Sequence, residues 1–132
     1  MRELDIRYFI CPLDKIYLGI PAGRTEKIIP VTRVQTAVNE TENREKFISL
    51  PALFGLKNIS TPHGVVLKTP ATRKTVLLTP GIDIDLEIPE ENISSLPESL
   101  SGSYRYFTGA CFDDQKVILI LDPEKLVEAF SD

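Results

Sequence analysis

From Tyr106 to Phe130 the apolar and polar positions spell strand, turn, strand and helix in succession. Tyr106 to Phe112 is aromatic and small, Asp113-Asp114-Gln115-Lys116 is a polar turn, and Val117 to Leu121 is an unbroken aliphatic run. A strand with no polar alternate predicts cover on both faces, as in a central strand. The helix expected next has Asp122 as its N-cap and Pro123 at the first helical position, where a missing N–H costs nothing. Leu121 and Leu126 are spaced for a hydrophobic staple, and Leu126, Val127 and Phe130 form one apolar stripe.

Upstream, Ile82 to Ile88 alternates apolar and acidic residues, which predicts a strand with one face in the core and one in water. Short strands with turn signals recur along the chain, so a β-rich barrel or sandwich is expected rather than a helical bundle. Pro62, Pro70 and Pro80 fall at strand ends, where a missing donor does least harm. Asn39 to Lys46 reads as a solvated loop or frayed hairpin, and Ser94 to Ser103 as a surface loop. The predicted core includes Phe9, Ile16, Leu18, Ile84, Leu86, Val117, Leu119 and Leu121, with Asp83 and Asp85 exposed. The first and last hairpins share a pattern of apolar strand, Asp and Lys in the turn, then aliphatic strand, which hints at two similar barrels in one chain.

The final hairpin, with Gly109, Leu121-Asp122 and Lys125-Leu126, resembles the carboxyl end of CheW-like domains, the coupling modules of bacterial chemotaxis. Tyr8-Phe9-Ile10 with Leu13 to Pro21 is similar to the family's opening hairpin, and Glu26 to Pro30 to the segment after it. Ser49 to Leu56 resembles the strand and short helix that close the family's first half, where a Leu-Phe-Gly ending is common. The resemblance implies one domain over residues 1–132, mostly β, as two small β-barrel subdomains with a short C-terminal helix.

It also implies a non-catalytic adaptor that couples chemoreceptor tips to the regulatory domain of a histidine kinase, with one docking surface on each barrel. Glu26, Lys27, Ile28 and Ile29, and the strand containing Ile82 and Ile84, are the expected contact residues. One departure bears on partners. The family's Asn-Leu-Arg-Gly turn is absent between Val34 and Phe47, and with it an arginine that Arg44 or Lys46 would have to replace. The Val-Asp that typically follows the strand at Val76 to Leu78 is replaced by Thr79-Pro80-Gly81. The alternatives are a degenerate module that binds only the kinase or another array component, and a small ligand-binding β-barrel.

Bulk properties narrow the partners. Fifteen basic and nineteen acidic residues give a net charge of −4 without a Lys/Arg block, which argues against a nucleic-acid partner. The longest aliphatic run is far short of a spanning helix, and the first five residues lack a secretory signal's apolar core, so a cytoplasmic protein that is not membrane-inserted is expected. Chemistry finds little purchase. Asp83, Asp85 and Glu87 are three equivalent acids on one strand face, without the contrasting environments that a catalytic pair needs. His63 sits in a turn with no nucleophile elbow in the chain, and the dispersed glycines make no phosphate loop. No cofactor or metal is expected. Cys11 and Cys111 read as small buried thiols, since a disulfide requires neighbouring strands and a metal site requires further ligands. The expectation is a binding module and not an enzyme.

Overall fold

Among the residues that the computed structural model describes, 5–31, 45–56, 59–68, 74–96, 105–113 and 116–130, ten strands form two sheets. The chain divides into two units, Met1–Gly23 with Ile82–Asp132, and Arg24–Gly81. The fold is mostly β, with a short helix at the C-terminal end.

Unit 1 is a six-stranded sheet. Its strands are β1 (Asp5–Leu13), β2 (Ile16–Pro21), β7 (Ile84–Pro89), β8 (Ser94–Ser95), β9 (Phe107–Asp113) and β10 (Lys116–Leu121). Their order in the sheet is β7-β1-β2-β10-β9-β8. The two hairpins that look alike in sequence therefore lie side by side in one sheet, joined by parallel pairing of β2 with β10, and do not mark separate barrels. The second unit comes instead from the middle of the chain.

Register explains the core. Ile10, Gly19, Ile120 and Gly109 are successive partners across four strands and so share a face. That face buries Tyr8, Ile10, Ile88, Cys111, Ile118 and Ile120 as one cluster, with Tyr17, Leu86 and Ile93 packed against it. On the other face Cys11, Leu18, Leu119 and Leu121 are buried too, so β10 is a central strand covered on both sides. Burial pushes the Tyr8 phenol above its usual range, and the charges of Glu90 and Cys111 add to the effect, so Tyr8 remains a protonated core residue. Of the predicted core, Phe9, Ile16, Leu86 and Val117 are only half-buried. Ile16 and Val117 lie close to their hairpin turns, where cover runs out. The side chains of Ile84 and Asp85 fall outside the described residues, and Asp83 is exposed.

The ends of unit 1 follow from local chemistry. Asp14 closes the first hairpin at φ 58°, a left-handed conformation that Asp tolerates better than most residues. The helix α2 (Pro123–Ala129) starts as its sequence requires: the Asp122 carboxylate accepts hydrogen bonds from the Glu124 and Lys125 amides at 3.0 and 3.2 Å. Leu126 is fully buried, and the Phe130 ring lies 5.9 Å from that of Tyr106. One expectation needs correction. Ser94 and Ser95 are not loop but pair with Ala110 and Gly109 as a two-residue edge strand. A Cβ on Gly109 would lie 2.6 Å from Ile93 Cγ2 and 2.8 Å from the Ser94 carbonyl oxygen, so only glycine lets β8 close on β9.

Unit 2 is a four-stranded sheet of β3 (Thr25–Pro30), β4 (Glu45–Ser49), β5 (His63–Leu67) and β6 (Lys74–Thr79), in the order β3-β5-β6-β4. Glu45 and Lys46, expected in a loop, begin β4 and pair in parallel with Lys74 and Thr75. Ser49 caps the helix α1 (Leu50–Leu53) by accepting from the Ala52 amide at 3.3 Å. Gly55, at φ 73°, ends it, which is the physical role of the Leu-Phe-Gly sequence. At the end of β6 the buried Thr79 hydroxyl donates to the Gly81 carbonyl at 2.9 Å and accepts from the Gly81 amide, closing the Thr-Pro-Gly turn.

Candidate functional site

The candidate surfaces are two sheet edges, one in each unit. Among the described residues, β3 has a neighbour on one side only, β5, and β7 has only β1. An unpaired edge offers a row of backbone donors and acceptors, the raw material of strand-to-strand docking.

The β3 edge is shaped by a bulge. Thr25 pairs with Leu67 and Lys27 with Val66, so Glu26 is the extra residue and its side chain is re-aimed. It reaches Lys74 on β6, beyond β5, at 2.9 Å. The hydrogen bond and charge of Lys74 pull the Glu26 carboxyl below its ordinary range, and Lys27 and Lys68 add to this. Ile28 is 39% exposed, whereas Ile29 faces Gly64 and is half-buried. The contact-forming part of the segment is thus Glu26, Lys27 and Ile28.

On β7, alternation puts Leu86 and Ile88 inward and leaves Glu87 exposed. Glu87 meets its cross-strand partner Arg7 at 3.5 Å, with both side chains 55% exposed, a geometry that contributes little. Asp83 extends the β1–β7 ladder through its amide, which donates to the Ile10 carbonyl at 2.7 Å. Ile82 is half-buried, Ile84 is in the strand without a described side chain, and Arg44 lies outside the described residues. Six of the seven expected contact residues therefore divide between the units, four on β3 in unit 2 and two around β7 in unit 1.

The sequence reading missed Lys68 and Lys74. Their signal was present, a cluster of basic residues at Lys68, Arg73 and Lys74 between two apolar strands, but only the sheet order brings it beside Glu26. The cysteines are settled by register. Cys11 shares a face with Leu18 and Leu119, Cys111 shares the opposite one with Ile118 and Tyr17, and two strands lie between them. That places them about 14 Å apart at ordinary strand spacing, on opposite sides of the sheet, so they cannot bridge. Both are buried, and neither is in a disulfide. Among the described residues no three His, Cys, Asp or Glu side chains converge as metal ligands would, and no helix is long and apolar enough to cross a membrane.

Comparison with known proteins agrees with this architecture. No curated protein sequence matches the chain. Among solved structures, the scaffolding protein CheW of Thermoanaerobacter tengcongensis superposes with a TM-score of 0.68 at 15% identity, over 91% of this chain and 86% of that one. The two share a fold. The family model for the CheW-like domain matches residues 7–131, which is nearly all of the two-unit structure, and the chain therefore belongs to the CheW-like domain family.

Proposed function

We propose that this chain is a non-catalytic chemotaxis adaptor in the cytoplasm that binds the regulatory domain of a histidine kinase and has lost most of its grip on chemoreceptor tips. The observation that carries the reading is that, among the described residues, β3 and β7 each have a neighbour on one side only, so each unit offers an open sheet edge. A module with one docking edge per unit holds two neighbours at once, which is what a scaffold in an array must do.

Glu26, Lys27, Ile28 and Ile29 are assigned to one contact, and Ile82 and Ile84 to the other. The receptor arm is weakened for a chemical reason. The family's Asn-Leu-Arg-Gly turn carries an arginine, a planar donor whose charge-assisted hydrogen bonds are each worth about 1.5–3 kcal/mol. This chain lacks that turn, and Arg44 and Lys46 are the nearest replacements in sequence.

Pull-down of a purified kinase regulatory domain and of a receptor-tip fragment, at the same salt concentration, tests the proposal. Retained kinase domain with little receptor fragment is expected. Strong receptor binding that Arg44→Ala leaves unchanged removes the proposed loss of coupling, and failure to bind either partner removes the adaptor reading.

A further inference from the structure

Charge is divided between the two units to an extent that the whole-chain value conceals. Unit 2 holds nine Lys and Arg against four Glu, a net of +5, and unit 1 holds six against fifteen Asp and Glu, a net of −9; together they make the chain's −4. A location for the positive surplus is visible on the β3 side of unit 2. Lys27 and Lys68 are exposed, and Lys74 lies against Glu26 at 2.9 Å. Lys74, Lys27 and Lys68 all act on the Glu26 carboxylate, Glu45 lies across from Lys74 on β4, and the exposed Ile28 projects from the other face of β3.

We infer that the β3 face of unit 2, through Lys27, Ile28, Lys68 and Lys74, docks an acidic segment of a protein partner. The choice of face rests on the adaptor reading, and the chemistry rests on the charge division. An extended polyanion such as a membrane surface or a nucleic-acid duplex is repelled on average by the chain's net charge of −4. A short acidic segment meets unit 2 alone. The edge of β3, which has no second neighbour among the described residues, suits a segment in extended form, in which backbone pairing gives affinity and alternate side chains give specificity. A segment with carboxylates on one face and aliphatic side chains on the other matches Lys27 and Ile28, which are consecutive on β3 and so project from opposite faces of the sheet. The same polarity tells an approaching partner which unit to meet, because complementary charge speeds encounter and like charge suppresses the wrong pairing.

The test uses the full chain and an octapeptide of alternating Glu and Val, followed by backbone amide NMR. Chemical-shift changes are expected in β3 and around Lys68 and Lys74, weakening at least tenfold between low salt and about 0.5 M salt as screening shortens the reach of the charges. Lys27→Glu combined with Lys68→Glu should abolish the shifts, and the Arg pair at the same positions should retain them, with thermal midpoints that show both variants folded. Equal binding of an alternating Lys and Val peptide, shifts confined to unit 1, or tighter binding to phosphatidylserine vesicles than to the peptide would overturn the inference. The adaptor reading fails separately. Peptide binding without kinase-domain binding removes the adaptor and leaves the acidic-segment site, whereas kinase-domain binding unaffected by the double reversal removes the site and leaves the adaptor.

Discussion

The Lys74 ammonium lies 2.9 Å from the Glu26 carboxylate although β5 separates their strands. The bulge makes this reach achievable, since a regularly paired residue at position 26 would stand upright over β3 itself. Glu26 should titrate below the ordinary glutamate range, because Lys74 hydrogen-bonds to the charged form and stabilises it. With the folded value depressed, the pair's stabilisation is present above the unfolded value and is lost as pH falls through the folded one. A carboxyl-detected NMR titration should show a midpoint that Lys74→Met moves back up. An unmoved midpoint would mean that the pair does not persist in solution.

Leu119 and Asp83 should behave as opposites. Leu119 is 6% exposed in a strand covered on both faces, and its truncation to Ala should cost about 2–5 kcal/mol. Asp83 is exposed at the start of the β7 ladder, and Asp83→Asn should change stability by less than about 0.5 kcal/mol. Denaturant midpoints of the two variants give the comparison, and similar losses would contradict the strand phases described above.

Gly109→Ala should pry β8 from β9. The new methyl meets both Ile93 and the Ser94 carbonyl, and relief requires backbone movement, at a cost of about 1–3 kcal/mol. Local opening should appear first at the Leu96 amide, which donates to Thr108 at 3.3 Å. Hydrogen exchange at that amide should quicken more than exchange in β2. Uniform quickening across the sheet would refute a local effect.

At the first hairpin, Asp14→Val should cost about 1–2 kcal/mol, because a β-branched residue at φ 58° is strained. Asp14→Gly relieves the strain at an entropic cost and should fall within about 1 kcal/mol of the parent. Equal thermal midpoints for all three chains would show that the turn adopts another conformation in solution.

Cys11 and Cys111 should be inert to an aromatic disulfide reagent in the native state, being 1% and 4% exposed. Since both belong to unit 1, their slow labelling should share one rate, that of opening this sheet. Rapid labelling of one thiol alone would place it at a frayed edge.

Much of unit 1 was legible in the chain because its signals are local. The Asp122-Pro123 helix start, the aliphatic run of β10 and the alternation of β7 each depend on a few consecutive residues. What escaped depends on pairing between distant strands. Ser94-Ser95 carries no strand signature and is a strand only because Gly109 admits it. Glu45 and Lys46 are polar enough to suggest a loop, yet β6 recruits them in parallel. The likeness of the two hairpins was real, but sequence says nothing about whether like pieces sit in one sheet or two. For the candidate surfaces, β3 could be placed from resemblance, while Lys68, Lys74 and the opposite charges of the units required the topology, because one unit is assembled from both ends of the chain.

The parallel junction of β2 with β10 also sets the order in which the protein can be made. Tyr17 pairs with Ile118, 101 positions later, whereas all four strands of unit 2 lie within Thr25–Thr79. During synthesis the middle unit can finish its sheet while the first hairpin waits with an open edge for a strand still inside the ribosome. Such delayed, long-range closure is slow and leaves a surface on which nascent chains can pair with one another. Emergence of β10, Lys116–Leu121, is therefore the event that commits unit 1 to its fold, and truncation anywhere before that strand should yield aggregating fragments rather than a shorter working protein.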